Sequence, residues 1–253
     1  MIEGRVHKYL DKEEEWRKLV DYINSSGTTE LGLDSEFYGV DLPGGESCVG
    51  RSQVHVWSVA LFDGGYSPRG YRTARGYTLP VEALGHFRGI LSSQNLLKYA
   101  HNSNVDVHSI HNTSGIDCVG IVNTLSLVRW VVPGRLKYGL DVICQELLGF
   151  GKLSTFEEIC SVPSFVDVVR KRCSCGVEGC RKRKGHTKSE EVVSVESDTK
   201  RTPIPLESIV PGHKKFLDLI DYAAQDPIGS LCLGDYCNAL AKEQEIYIPW
   251  IKQ

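Results

Sequence analysis

Apolar positions recur at helical or strand spacing along most of this chain. Trp16, Leu19, Val20 and Ile23 share one face of the stretch Asp11 to Asn24, which predicts a helix. Asp11 with Glu14 three residues on predicts Asp11 as its N-cap. Thr28 to Asp34 predicts a strand entering the core. Val54 to Phe62 is a β-rich run ending in the hairpin signal Asp63-Gly64-Gly65, and Gly76 to Leu79 predicts the returning strand. Pro80 opens a helix predicted through Phe87 to Leu91. Leu96 to Ala100 and Val119 to Val122 predict short buried strands, with a helix over Val105 to His111 between them. A helix over Leu125 to Val132 stops at Pro133-Gly134, and another over Leu140 to Leu148 ends at Gly149. Phe216 to Leu240 is one long helical pattern or two, because Pro227 is tolerable only near a helix start or at a kink.

The predicted order is β-β-β-α-β-α-β-α. Antiparallel strands followed by crossover units give an α/β fold, a mixed sheet flanked by helices. Ser161 to Pro211 breaks the pattern and is expected to be an insertion between the last two core helices. Met1 to Arg5 matches a protease-cleavage tag and is set aside, leaving 6–253.

The 253 residues suffice for one sizeable α/β core, and 41% hydrophobic with 24% charged residues is ordinary soluble composition. No apolar stretch approaches the length of a membrane span, and the N-terminus has no signal-peptide pattern, so a membrane partner is not expected. The nine cysteines are odd in number and unevenly spaced, with three packed together. That favours a reducing cytoplasm and one metal cluster over disulfides. The net charge of -3 hides an asymmetry. From Arg170 to Lys188 eight basic residues stand against Glu178 alone, a local +7 that leaves -10 on the rest. An acidic body with one basic element points to a cation site beside a phosphate-binding arm, where otherwise the run is a solvated loop.

Three acidic patches carry the chemistry. Asp34 and Glu36 alternate at an expected strand end and share a face, as ligands of one cation or as a solvated strand end. Asn102 and Asp106 lie four apart after an apolar run, as ligands on one helix face or as an Asn N-cap with an acid in the first turn. Tyr222 and Asp226 are again four apart, as a water-orienting group beside a metal ligand or as a helix surface pair, and Ala223 and Ala224 allow close approach to a neighbour. Four carboxylates and a phenol suit two divalent cations held over a phosphodiester, with a group to orient water.

In this order the patches resemble the three exonuclease motifs of the DEDD 3′–5′ exonuclease superfamily, in its tyrosine-bearing branch. Leu33 to Phe37 resembles the first motif, His101 to Asp106 the second and Tyr222 to Asp226 the third. Val122 to Arg129 and Tyr138 to Gly149 resemble the stretches that follow the second. Asn123 departs from the pattern, since many relatives carry Asp there. The resemblance implies an RNase H-like fold over 6–253, interrupted by the 161–211 insertion. It implies two Mg²⁺ or Mn²⁺ ions held by Asp34, Glu36, Asp106 and Asp226, and a water oriented by Tyr222. Phe37 and Asn102 are expected to touch substrate. The expected products are nucleoside 5′-monophosphates.

Cys173, Cys175, Cys180 and His186 supply four soft-to-borderline donors within 14 residues, and Gly176, Gly179 and Gly185 permit tight turns. They are expected to close a structural zinc site, with free thiols or a redox pair as the alternatives. Zinc there would present Arg181, Lys182, Arg183 and Lys184 as a rigid edge for a nucleic-acid backbone. The leading function is DNA hydrolysis from single-stranded or duplex 3′ ends. Looser similarity to phage-type family-A polymerases, around Ile209 to His213 and the basic cysteine element, adds proofreading with a polymerase domain or subunit in a bacterial or phage-infected cell. The alternatives are an RNase D-like exoribonuclease and a nucleic-acid-binding module without catalysis.

Overall fold

The computed structural model of the protein describes residues 7–41, 47–67, 70–151, 155–173 and 188–247. Two compact units divide the chain, 1–155 with 206–253, and 156–205.

The larger unit is built on a six-stranded mixed sheet. Its strands are β1 (His7–Tyr9), β2 (Glu30–Asp41), β3 (Ser47–Tyr66), β4 (Arg72–Pro80), β5 (Leu97–Ala100) and β6 (Ile121–Asn123), in the spatial order β1-β4-β3-β2-β5-β6. β2, β3 and β4 form an antiparallel meander, while β5 and β6 add in parallel to β2. This is an RNase H-like mixed sheet flanked by helices. β1 pairs in parallel with β4 and is too short to show a period in sequence. β3 begins before the expected Val54.

One face of the sheet is covered by α1 (Glu13–Ser25), a 3₁₀ helix over Val81–Phe87, α2 (Arg88–Leu91) and α3 (Asn104–Ser114). Leu31, Leu33, Val59 and Leu79 point into this layer, where the Trp57 ring meets Phe87 edge-on at 4.9 Å. The other face carries α4 (Thr124–Val131), α5 (Leu140–Ile143) running into a π turn over Cys144–Leu148, and α7 (Phe216–Glu243). Gly149 closes the π turn at φ 78°, at the predicted stop.

Three local expectations are corrected. The N-cap of α1 is Lys12, without a side-chain bond, and Glu13, Glu14 and Glu15 place the favourable negative charge in the first turn instead of Asp11. The helix after Pro80 is mostly 3₁₀, consistent with Gly85 lowering α-propensity, and becomes α only over Arg88–Leu91. α7 is one helix that runs through Pro227. The missing N–H costs a bond, but α7 is buried on both sides of that position, from Leu219 and Ile220 to Leu231 and Leu233, and packing outweighs propensity.

Close approach of backbones seats α7. A Cβ at Gly32 of β2 would lie 1.9 Å from the Pro227 carbonyl oxygen, and one at Gly76 of β4 would lie 2.6 Å from that of Ala224. No other residue fits at these crossings. No helix among the described residues is long and apolar enough to cross a membrane.

The smaller unit contains α6 (Phe156–Ile159) and an antiparallel hairpin of β7 (Ser161–Cys173) and β8 (Lys188–Pro203). The register slips at Pro163, where the ladder lacks a donor. Arg201 Nε donates to Ser161 Oγ at 2.6 Å and fastens the open end. The segment Ser189 to Pro205, polar in sequence, is therefore largely strand. Cys175, Cys180, His186 and the basic residues Arg181, Lys182, Arg183 and Lys184 lie outside the described residues, as does the side chain of Cys173.

Candidate active site

Asp34 and Glu36 stand two apart on β2, so the pleat turns both carboxylates toward α7. Asp226 meets them from α7. Ligand oxygens of Asp34, Glu36 and Asp226 all lie within 4.8 Å of one another. Like charges held this close repel unless a cation or protons intervene. An all-oxygen donor set of three carboxylates fits a hard divalent ion such as Mg²⁺ or Mn²⁺.

The height of α7 above the sheet is fixed by hydroxyls. Ser58 Oγ donates to Thr78 Oγ1 at 3.1 Å, and Thr78 Oγ1 donates to the Ile220 carbonyl at 3.1 Å. Ser58 is the ladder partner of Asp34, so this chain runs from the acid-bearing row to the turn of α7 that precedes Tyr222. Tyr222 is buried one turn before Asp226, on the same side of the helix.

Asp106 comes from the first turn of α3 and is almost fully buried. Its Oδ1 accepts from the Ser35 backbone N–H at 3.0 Å and from Ser35 Oγ at 2.8 Å. Burial pushes its carboxyl well above the usual carboxylate range, the two Ser35 bonds pull it down, and the charge of Asp226 raises it further. Three of the four sequence-predicted acids are thus brought together part-way along β2, which continues past the expected strand end to Asp41, and the fourth, Asp106, is tied to Ser35 between two of them.

Sequence reasoning missed Ser35. Its place between two acids turns it to the opposite face, toward α3, and that alternation was the available signal. Asn102 is exposed and adopts φ 58°, so it does not cap α3; Ser103 holds the N-cap position. The Asn102 N–H donates to Asn123 Oδ1 at 3.2 Å, and the same oxygen accepts from Leu125 N–H at 3.1 Å. Asn123 therefore caps α4 and braces the left-handed turn ahead of Asp106. His101 adds a brace, with Nδ1 3.0 Å from Thr124 Oγ1 and Nε2 2.8 Å from the Tyr138 carbonyl. Phe37 is half-buried beside an irregularity of the β2–β3 ladder that follows Glu36.

An RNase H-like sheet with acids converging on its first core strand from a crossover helix and a late helix defines a DEDD-type exonuclease. The model of the 3′-5′ exonuclease family matches residues 8–164, and the chain belongs to that family of hydrolytic enzymes. A search of curated proteins returns no relative of the chain. Among solved structures, Brucella melitensis NrnC with bound Mg²⁺ is similar at 14% identity and a TM-score of 0.52, over 94% of this chain and 82% of that one. Escherichia coli RNase D, an exoribonuclease involved in structured RNA processing, is similar at 12% identity and a TM-score of 0.54, over 95% and 46%. The catalytic core of RRP6 from Trypanosoma brucei is similar at 12% identity and a TM-score of 0.56, over 97% and 50%. At these identities the likeness is one of fold.

Proposed function

We propose that the protein removes nucleotides one at a time from DNA 3′ ends, releasing nucleoside 5′-monophosphates. The observation that carries this is the convergence of Asp34, Glu36 and Asp226 within 4.8 Å, with Asp106 fastened beside them. Asp34, Glu36, Asp106 and Asp226 would hold two Mg²⁺ or Mn²⁺ ions. Ions bound there would lower the pKa of a water and stabilise negative charge on the leaving 3′ oxygen. Tyr222 directs its hydroxyl to the attacking water and fixes its line of approach. Ser35 keeps the Asp106 carboxylate in one orientation. Phe37 and Asn102 border the site and contact the terminal nucleotide.

A second reading is hydrolysis of RNA. The likeness to RNase D, an exoribonuclease, and to NrnC bound to pGG favours it by analogy of fold. Discrimination between the two sugars depends on how the pocket treats the 2′-OH. Proofreading beside a polymerase is supported by the sequence similarity around Ile209 to His213. A structural zinc at Cys173, Cys175, Cys180 and His186 is supported by their donor chemistry, with Arg181 to Lys184 gripping the backbone.

Digestion of end-labelled single-stranded DNA and RNA of equal sequence, with Mg²⁺, Mn²⁺ or EDTA, tests the proposal. Stepwise loss of DNA 3′ nucleotides in metal, absent in EDTA and in Asp34→Ala or Asp226→Ala, is expected. Full activity of either variant in Mg²⁺ overturns the site, and a faster RNA reaction replaces DNA with RNA.

A further inference from the structure

The face of the sheet away from Asp34, Glu36 and Asp226 holds a cleft of about 490 Å³ between α1 and the β1–β4 edge. The paired row Leu33, Val59, Tyr77 and Lys8 leads to it across the sheet. Leu33 alternates with Asp34, so this row looks away from the acids. Leu61 and Arg75 are paired one step further along the same face. The opposite wall is a helical stripe of α1, formed by Glu15, Lys18, Leu19 and Tyr22 at spacings of three and four.

Two chemistries meet there. Tyr22 is 51% exposed, and Tyr77 is half-buried facing the same space. Burial raises the Tyr77 hydroxyl pKa; Arg75 and Lys8 act against the rise, while Tyr22 and Asp63 add to it. Groups from four elements thus converge on one phenol. Lys8, Lys18 and Arg75 line the cleft as cations. Their present partners are exposed or half-exposed, with Lys8 2.6 Å from Glu15, Lys18 2.6 Å from Glu14 and Arg75 3.7 Å from Asp63. Such pairs contribute little, so the cations can turn to a phosphate. A second large cleft, of about 540 Å³, has the opposite character. It is lined by Asp11, Glu82 and Glu207, with no Lys or Arg among its described residues, and repels phosphate.

We infer that the cleft under α1 is a second nucleotide site, which stacks one base on Tyr22 and Tyr77 and holds its phosphate with Lys8, Lys18 and Arg75. Aromatic faces accept any base, and the cations supply the phosphate grip. The occupant is a nucleotide, either a released nucleoside 5′-monophosphate or one unit of the bound strand. This identity rests on the nuclease reading above.

The test is calorimetric titration of the full chain in EDTA, which removes metal-supported binding at the carboxylates. The probes are a nucleoside 5′-monophosphate and a short single-stranded oligonucleotide. Binding is expected, and Tyr22→Ala and Arg75→Gln should each weaken it at least tenfold while leaving cleavage of a dinucleotide in Mg²⁺ unchanged. Both side chains are exposed, and a thermal melt confirms that the variants fold. The probe whose binding the two variants weaken names the occupant, the monophosphate for released product and the oligonucleotide for the bound strand. No binding of either probe in EDTA, or binding that both variants leave intact, overturns the inference. A protein that cleaves but does not bind in EDTA refutes this site alone, and one that binds but never cleaves refutes the nuclease proposal alone.

Discussion

Ser35 Oγ lies 2.8 Å from Oδ1 of Asp106, joining residues 71 positions apart in the chain. The bond links the strand bearing two acids to the helix bearing a third. The Ser35 backbone N–H reaches the same oxygen at 3.0 Å, so this residue holds Asp106 twice. Ser35→Ala keeps the backbone bond and removes the other, at a cost of about 1–3 kcal/mol for a buried acceptor that loses a partner. The expected result is a higher Mg²⁺ requirement and a lower turnover, with Ser35→Thr close to wild type. An alanine variant with an unchanged metal-activity curve would contradict the role.

Gly32→Ala should disturb the site without touching an acid. Its Cβ would press on the Pro227 carbonyl from 1.9 Å, where only backbone can yield. Overpacking of this kind costs about 1–3 kcal/mol or more. Because Asp226 precedes Pro227, the carboxylates separate as α7 lifts. A lower Tm together with at least a tenfold loss of activity is expected, measured on the same sample. Wild-type values for both would show that the crossing tolerates a methyl group.

Tyr222→Phe should reduce turnover without abolishing it. On the proposed mechanism the carboxylates remain, and the lost hydroxyl removes only the water's orientation. Groups of this kind contribute about 10²–10⁴-fold. Single-turnover rates across pH measure the effect, and an unaltered rate throughout would remove the phenol from the mechanism.

Lys98 gives a pH dependence away from the acids. It is fully buried in β5, and its Nζ donates to the Ser93 carbonyl at 2.5 Å and the Val119 carbonyl at 2.8 Å. Burial pulls its amine down to about 8 from the ordinary value of 10.5, with an opposing effect of Cys118. A base depressed in the folded state releases its proton earlier there than in the unfolded chain. From about pH 8 to pH 10.5 the unfolded chain binds more protons, so stability rises with pH in that window. Lys98→Met strands two carbonyls and should lower stability at pH 7, while removing this rise. Denaturant midpoints for both proteins from pH 7 to 10 test it, and parallel curves would refute it.

Much of the core was legible because its elements keep one period. Trp16, Leu19 and Ile23 are buried on α1 as their spacing required, and the alternation of Asp34 and Glu36 put both on one face. Gly149 and Pro133 stopped helices where local chemistry demands. What escaped was non-local. β1 has three residues and exists because β4 offers a free edge. Pro227 sits mid-helix because packing decides against propensity. The hairpin of β7 and β8 hid behind its charged residues, although valines recur at Val166, Val168, Val192 and Val193. At the candidate site, residue types pointed to acids that the fold brings close, but not to their supports. Nothing in the local sequence shows that Ser35 reaches Asp106, or that Asn123 reaches Asn102.

The amide of Asn123 has a consequence for the order in which the enzyme matures. It serves the start of α4 and a turn 21 residues earlier through one oxygen. A nascent chain that has exposed Asp106 but not yet Asn123 therefore holds its second acidic patch on an unsupported hinge. Only when β6 docks beside β5 does the turn gain its acceptor, so the patch reaches its working shape after that long-range pairing is made.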